Sequence, residues 1–213
     1  MKLTTCLWFD GRAREAANFY TSIFPDSSVA ENWIAPTDTP GNKQGEEIVV
    51  NFTIFGQPFI GLNGGPQFPH SEAISFQIPC SNQTEIDKYW DLLVADGGQE
   101  SQCGWLKDKF GISWQVTSPE MNNYLGGSDS AGAQRATQAM LDMRKIDLAA
   151  MKSAYENAKV TSDQFSILVG VVFAGIVTRF MEDGNLLITT IFTIFCGTGT
   201  RLAWALIKKT RTN

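Results

Sequence analysis

The first 118 residues repeat one order of predicted elements, and this internal repeat constrains the fold more than any other feature of the sequence. In each copy, a short apolar strand precedes a helix whose apolar side chains recur every three or four residues, and β-rich segments follow. The aromatic pairs Phe19-Tyr20 and Tyr89-Trp90 lie 70 residues apart, at matching places in the two helices. The pattern predicts two βαβββ modules, at residues 1–70 and 71–118.

The sequence also marks where these elements begin and end. Pro25 ends the first helix, and Asn82 with Glu85 three residues later is typical of a helix N-terminus. Gly97 and Gly98 close that second helix. The predicted strands are residues 3–9, 28–34, 48–55 and 59–62 in the first module, and residues 73–78, 100–106 and 112–117 in the second.

The two modules are predicted to form one α+β domain. Because each module has one apolar sheet face and one helix, the sheets should pair and enclose an aromatic cavity that holds the functional site. Residues 119–158 are predicted to form a helical extension, with short helices at residues 131–143 and 147–158 and Asp147 as the cap of the second. We expect this extension to pack on the outside of a module or against a dimer partner.

Histidine and cysteine restrict the chemistry that is available. The chain has one histidine, His70, which excludes a multi-His metal site. Its four cysteines include no Cys-x-x-Cys pair, and this excludes zinc-ribbon and thioredoxin-like sites. Cys6 and Cys80 lie in or beside apolar runs and are expected to be buried, inert thiols. His70 lies in a proline-bounded segment between the modules and is expected to be exposed, without a catalytic role.

Charge divides the chain near residue 159. Residues 1–158 hold 11 basic and 19 acidic side chains, whereas residues 159–213 hold 6 basic and 3 acidic ones. The acidic first part disfavours nucleic acid as a partner, because a nucleic-acid binder shows a basic face. No signal peptide is expected at the N-terminus, so the main domain should be cytoplasmic.

The second part, residues 159–213, is an apolar tail. Two apolar stretches, at about residues 164–181 and 186–207, predict a two-helix membrane hairpin that ends in the cytosolic Lys208 and Lys209. Membrane association would then run through residues 165–207. The alternative is a tail that packs as soluble core or as a dimer interface, because an uncharged run of 14 residues is ambiguous in length.

Several separated motifs occur together in this chain. They are LWFDGRAREAANFY at residues 7–20, IFP at residues 23–25 and CGWLKDKFGISWQ at residues 103–115. With them, the chain resembles the PhnB-like branch of the vicinal-oxygen-chelate superfamily over about residues 3–158. That superfamily includes glyoxalase I, bleomycin-resistance proteins and extradiol dioxygenases. The resemblance implies the vicinal-oxygen-chelate fold, and the branch often carries the label 3-demethylubiquinone 3-methyltransferase.

The resemblance also implies where a metal ion would bind. Metal-dependent members of the superfamily take ligands, typically His and Glu, from the first and last strands of each module. These positions fall near Thr5, Ala73, residues 61–63 and Gln115, and none of them is His, Asp or Glu. A hard divalent cation needs anionic oxygens or imidazole. We therefore expect neither a metal nor a cofactor.

Three functions are open at this point. The first is a homodimer that binds an unidentified small molecule without a metal. The second is an isomerase, lyase or group-transfer enzyme that uses Asp10, Glu47 or Asp108; a methyltransferase would need glycines before a helix, whereas residues 61–65 precede a proline. The third is a membrane-tethered interaction module. The candidate ligand-binding residues, each of which could instead belong to the core, are Trp8, Phe52, Asn63, Trp105, Trp114 and Gln115.

Overall fold

The computed structural model describes residues 3–157, which form two four-stranded sheets with helices. The first sheet has the strand order β1-β4-β3-β2, and the second has the order β5-β8-β7-β6. In both sheets the first strand of the module runs parallel to the last, and the other neighbours are antiparallel. The same topology therefore occurs twice, which confirms the α+β fold with two βαβββ modules.

The elements of the two modules follow the same order along the chain. The first module contains β1 (Thr5–Phe9), α1 (Ala13–Ile23), β2 (Val29–Ile34), β3 (Glu47–Ile54) and β4 (Gln57–Asn63). The second contains β5 (Phe76–Pro79), α2 (Gln83–Val94), a 3-10 turn (Ala95–Gly97), β6 (Gln99–Glu100), β7 (Trp105–Lys107) and β8 (Ser113–Thr117).

Helix α2 begins and ends as the sequence predicts. The side chain of Asn82 accepts a hydrogen bond from the backbone N–H of Glu85 at 3.0 Å, and the Glu85 carboxylate accepts one from the N–H of Ser81 at 2.7 Å. The first bond satisfies an N–H of the first turn that has no partner within the helix, and the second fixes the residue before the cap. Gly97, with φ +108°, adopts the left-handed backbone expected after a helix.

The third segment of the second module differs from the prediction. The sequence predicts one strand at residues 100–106, but these residues contain the end of β6, a tight turn and the start of β7. The turn needs left-handed backbone at Cys103 (φ +56°) and Gly104 (φ +84°). A Cβ on Gly104 would lie 2.7 Å from the carbonyl oxygen of Val116, so only glycine fits. Apolar spacing alone does not reveal such a turn.

The two modules share one apolar core. Tyr20 on α1 stacks on Phe52 of the first sheet, with ring centroids 6.1 Å apart, and lies 5.6 Å from the Trp114 ring of the second sheet. Phe24 lies 5.3 Å from Trp114 and 5.5 Å from Tyr89 of α2. Aromatic rings thus fill the space where the sequence predicts a cavity between the modules.

The C-terminal extension packs against the second module. It comprises α3 (Met121–Leu125), α4 (Ser130–Leu141) and α5 (Leu148–Glu156). Asp147 caps α5 by accepting from the N–H of Ala150 at 2.9 Å, as predicted. The Gln83 amide of α2 donates to the carbonyl of Ile146 and accepts from the N–H of Leu148. Helix α3 was not predicted, because five residues are too few to show an apolar period.

The predictions for Cys6 and Cys80 have different outcomes. Cys80 is buried, but the prediction for Cys6 is wrong: Cys6 is exposed, because its neighbour Leu7 takes the core side of β1.

Within residues 3–157, no helix is both long enough and apolar enough to cross a membrane. The predicted hairpin at residues 164–181 and 186–207 lies outside the described residues. The domain boundary near residue 159 stays a prediction.

Candidate functional site

Each sheet has one face that packs against helices and one that is partly exposed, because side chains alternate along a strand. On β8, Trp114 and Val116 are buried on the side of α2, whereas Gln115 and Thr117 on the opposite side are partly exposed. We call the partly exposed sides the open face of the first sheet and the open face of the second sheet.

The open face of the second sheet carries two rows of side chains. Gln99, Lys107 and Ser113 are paired across β6, β7 and β8 and form the first row. Trp105, Gln115 and Gln77 are paired across β7, β8 and β5 and form the second row. Trp105 is therefore the one apolar side chain among these six.

A small cavity of about 140 Å³ opens beside the first row. Ser113 is 2% exposed, and its hydroxyl has no hydrogen-bond partner among the described residues. The Lys107 ammonium lies 2.6 Å from a carboxylate oxygen of Glu72, in the turn before β5. The residues that line the cavity are Glu72, Gln99, Glu100, Ser101, Trp105, Leu106, Lys107 and Ser113.

Both carboxylates of this cavity are held ionised by their neighbours. The hydrogen bond from Lys107 lowers the pKa of Glu72. Hydrogen bonds from the Trp90 indole, at 3.1 Å, and from the Arg144 guanidinium, at 3.2 Å, lower the pKa of Glu100. A general base for neutral pH needs a raised carboxyl pKa. These two groups are therefore suited to bind charge, not to transfer protons.

The open face of the first sheet carries one apolar row. Trp8, Leu62, Val49 and Trp33 form one row across β1, β4, β3 and β2. Trp8 is anchored by its indole N–H, which donates to the carbonyl of Gly65 at 2.7 Å. Trp33 is 67% exposed. An exposed indole in an apolar row is typical of a contact surface.

Alternation divides the six predicted binding residues between two environments. Trp8 lies on the open face of the first sheet, and Trp105 and Gln115 lie together on that of the second. The other three are on the helix-covered sides and nearly inaccessible. Their exposed fractions are 2% for Phe52, 3% for Trp114 and 5% for Asn63.

Asn63 holds the start of α1 against the first sheet. Its side-chain oxygen accepts from the N–H of Ala13 at 2.9 Å, and its amide donates to the carbonyl of Glu47 at 2.8 Å. Both halves of the amide are thus used within the fold.

Asp108, a candidate base, is also a member of the core. It is 3% exposed and accepts from the Tyr20 hydroxyl and the Trp114 indole, each at 2.8 Å. Its other oxygen accepts from the N–H groups of Phe110 and Ile112. Burial raises the pKa of the Asp108 carboxyl, and these four hydrogen bonds oppose that shift. No oxygen of this carboxylate is left without a partner.

The other residues considered for catalysis, Asp10, Glu47 and His70, do not line the cavity of the second sheet. Asp10 is exposed at the end of β1, and Glu47 forms a 2.5 Å ion pair with Arg14. His70 was expected to be exposed, but it is half-buried: its ring contacts Phe9 edge-to-face at 5.5 Å, and its Nε2 is buried without a hydrogen-bond partner in the described part of the chain.

The residues at the expected metal positions do not fit a divalent cation. Thr5 and Ala73 offer no anionic oxygen, and Gln115 donates its amide to the Ser75 hydroxyl at 2.7 Å. Among residues 3–157, no three His, Cys, Asp or Glu side chains come together as a metal site would require.

Sequence reasoning missed Glu72, Lys107 and Ser113. Alternation from Trp105 could have identified Lys107, because residues two apart on a strand share a face. Glu72 lies in a loop, and no local pattern predicts its contact with Lys107.

Comparison with known proteins identifies this fold. The sequence model of the 3-demethylubiquinone-9 3-methyltransferase family matches residues 1–117, so α3 to α5 lie outside the match. A PhnB protein from Bacillus cereus, named as a 3-demethylubiquinone-9 3-methyltransferase, is 35% identical; the match covers 55% of this chain and 99% of that one, with a TM-score of 0.50. No curated protein matches the chain.

Two further solved structures are more distant. The fosfomycin resistance protein FosX from Listeria monocytogenes is 14% identical over 59% of this chain and 96% of its own, with a TM-score of 0.39. A lactoylglutathione lyase from Agrobacterium tumefaciens is 14% identical over 56% of this chain and 93% of its own, with a TM-score of 0.29. With the duplicated topology, the match over residues 1–117 shows that the chain belongs to the 3-demethylubiquinone-9 3-methyltransferase family, the PhnB-like branch of the vicinal-oxygen-chelate superfamily.

Proposed function

We propose that this protein binds a small polar molecule on the open face of the second sheet, without a metal ion. The observation that carries the proposal is the cavity of about 140 Å³ on this face, which Trp105 and Lys107 line. Ligand sites in proteins are concave and combine an apolar contact with a few polar groups, and Trp105 and Lys107 supply both here.

The second row offers a ligand one apolar contact, at Trp105, and one hydrogen-bond acceptor, at Gln115. Trp105 is partly exposed and offers one face of an indole, which binds an apolar part of a ligand at little entropic cost. Gln115 donates to Ser75, whereas its carbonyl oxygen has no partner among the described residues. A ligand on this face can therefore contact Trp105 and donate to Gln115 at once.

The contacts favour binding over acid–base catalysis. Asp10 is exposed at the end of β1, and Glu47 and Asp108 are already paired with Arg14 and with four donors. The two cavity carboxylates have lowered pKa values. The Glu72 and Glu100 carboxylates are therefore not poised to take a proton at neutral pH.

The methyltransferase name of the family is not part of our proposal. A nucleotide-type methyl donor needs glycines at a turn that opens a helix. Gly64 and Gly65 instead serve Trp8: a Cβ on Gly64 would overlap its indole ring, and Gly65 accepts its N–H. The segment that follows leads to strand β5.

We further propose that the protein is a homodimer through the open face of the first sheet. Trp33 lies on β2, the edge strand of that sheet, in line with Val49 and Leu62. A two-fold interface pairs the same patch on two copies, so an exposed apolar row on one copy can be covered by that of the other. Nucleic acid is not proposed as a partner, and the cytoplasmic location stays a prediction.

Thermal unfolding of the full chain against a panel of small metabolites tests the binding proposal. At least one compound should raise the melting temperature, and Trp105→Ala and Gln115→Ala should each reduce that shift. Trp33→Ala, which removes a tryptophan from the other sheet, is the matched control and should retain it. A shift that survives in both binding variants would place the ligand elsewhere.

A further inference from the structure

The side chains around Trp105 indicate which class of molecule the open face of the second sheet binds. Building on the binding role proposed above, we propose that the ligand is a neutral sugar, whose ring packs on the Trp105 indole while its hydroxyl groups bind the neighbouring amides. Three features of this face support the class: its charges are paired, its uncharged polar side chains surround the indole, and its cavity is open to solvent.

The charged side chains that line the cavity already have partners. The Lys107 ammonium lies 2.6 Å from Glu72, and the Arg144 guanidinium lies 3.2 Å from Glu100. A charged ligand would have to separate one of these pairs or leave water without a counter-charge, and both cost free energy. A neutral ligand has neither cost. The paired charges therefore favour a molecule that binds through hydrogen bonds and apolar contact.

Uncharged polar side chains lie on both sides of Trp105. Gln115 is its cross-strand neighbour on β8, and Gln77 continues the same row on β5. On the opposite side, Gln99 of β6 and Ser101, which follows that strand, line the cavity together with Trp105. The indole is therefore an apolar platform between two sets of hydrogen-bonding groups.

These polar groups are available to a ligand. Gln77, Gln99 and Ser101 are exposed, so their amide and hydroxyl groups can exchange water for a ligand. Gln115 donates to the Ser75 hydroxyl at 2.7 Å, and this bond leaves its carbonyl oxygen as an acceptor. Amides and hydroxyls both donate and accept. A ligand that carries groups of the same dual kind can therefore bond to this face on both sides of the indole at once.

A sugar ring has both of the required properties. Its C–H groups form an apolar face that packs on an indole, and its hydroxyl groups point outward from the rim of the ring, where they donate and accept. A ring on Trp105 presents hydroxyls to Gln115 on one side and to Gln99 on the other. A purine base also packs on an indole, but its ring nitrogens without hydrogen only accept, so it matches these amides less completely. Because the cavity is open to solvent, we expect weak, millimolar binding.

Matched probes test the class on the full chain. The methyl glycosides of glucose, galactose and mannose are neutral, the corresponding uronates add a carboxylate, and tetrahydropyran-2-methanol keeps the ring but lacks the ring hydroxyls. The readout is the indole N–H resonance of Trp105 in a ¹H–¹⁵N NMR spectrum, assigned by its loss in Trp105→Phe. We expect a saturable shift with at least one glycoside, and at least fivefold weaker binding of its uronate, of tetrahydropyran-2-methanol and of adenine. No shift with any glycoside, or equal or tighter binding of one of the other probes, overturns the proposal.

Two variants locate the ligand. Gln99→Ala and Gln115→Ala should each weaken binding of that glycoside at least threefold, because each removes a polar group beside the ring. Gln44→Ala removes an exposed amide from the loop between β2 and β3 and should leave binding unchanged. Circular dichroism melting identifies any variant that has not folded, and the exposed Gln99 carries the test if Gln115→Ala does not fold. Unchanged binding in the folded variants overturns the site.

The outcome for the sugar is separable from that of the proposed function. If no glycoside shifts Trp105 while another metabolite stabilises the protein through Trp105 and Gln115, the sugar is wrong and the binding role stands. If neither a glycoside nor any metabolite acts through these residues, both proposals are wrong.

Discussion

The hydroxyl of Tyr20 on α1 donates a 2.8 Å hydrogen bond to the carboxylate of Asp108, which precedes the turn between β7 and β8. The two residues are 88 positions apart and belong to different modules. Both are buried, with exposed fractions of 0% and 3%. One carboxylate thus ties the helix of the first module to the hairpin whose two strands carry Trp105 and Gln115.

Removing this hydroxyl should loosen the junction of the modules. Tyr20→Phe keeps the ring between Phe52 and Trp114 but leaves Asp108 with one donor fewer, and we expect a loss of about 1–3 kcal/mol in the free energy of unfolding. Urea unfolding measures it. Tyr124→Phe, which removes a bond to Glu120, the residue before α3, is the control and should cost less. Equal losses would mean that the hydrogen bond between Tyr20 and Asp108 stabilises the fold no more than the one between Tyr124 and Glu120.

Asp108 also predicts a pH dependence. Burial raises the pKa of this carboxyl in the folded state above its ordinary value of 3.8, so the folded state prefers the protonated form. The stability that this group contributes is present below the unfolded pKa and is lost as pH rises through the folded pKa. The stability difference between the wild type and Asp108→Asn should therefore be largest in acid, fall through that window and then stay level. Urea unfolding from pH 3 to pH 7 measures this difference, and one that grows with pH would contradict the assignment.

The sequence predicts the repeat, the capping of α2 and the helix faces, because these depend on spacing within a few residues. Asn82, Glu85 and Asp147 act in the structure as their local patterns indicate. The turn at Gly104 was missed, since its need for glycine comes from the Val116 carbonyl on another strand. Local patterns do not contain such contacts.

The candidate site shows the same division. The sequence predicts Trp114 and Gln115 in one site, although adjacent residues of a strand point to opposite faces. The sequence does not say which face a helix covers, because Trp114 suits a core and a binding site equally. Trp105 and Gln115 do come together, as cross-strand neighbours. The contact between Glu72 and Lys107 required the three-dimensional structure.

Gly64 should be intolerant of even a methyl group. A Cβ there would overlap the Trp8 indole, whose N–H is fixed by the carbonyl of Gly65, so the ring has to shift. We expect Gly64→Ala to lower the free energy of unfolding by about 1–3 kcal/mol, as overpacked cores do. Gly126→Ala, where the nearest atom is 3.2 Å from the new Cβ, should cost clearly less in the same urea titration. Equal costs would show that the Trp8 ring moves freely.

The exposed apolar row of the first sheet predicts that the protein is a dimer. The full chain should have the mass of a dimer by light scattering coupled to size exclusion. Trp33→Glu should shift that mass towards the monomer, because a carboxylate in the apolar row would have to be buried at the interface. Leu92→Glu adds the same charge at a residue of α2 that is 39% exposed, and it should leave the dimer intact. A monomeric wild type would contradict the homodimer, and a dimer that survives Trp33→Glu would move the interface away from this face. Because Trp33 is not on the second sheet, the variant should also bind a ligand of that sheet as the wild type does, so association and ligand binding can be measured independently.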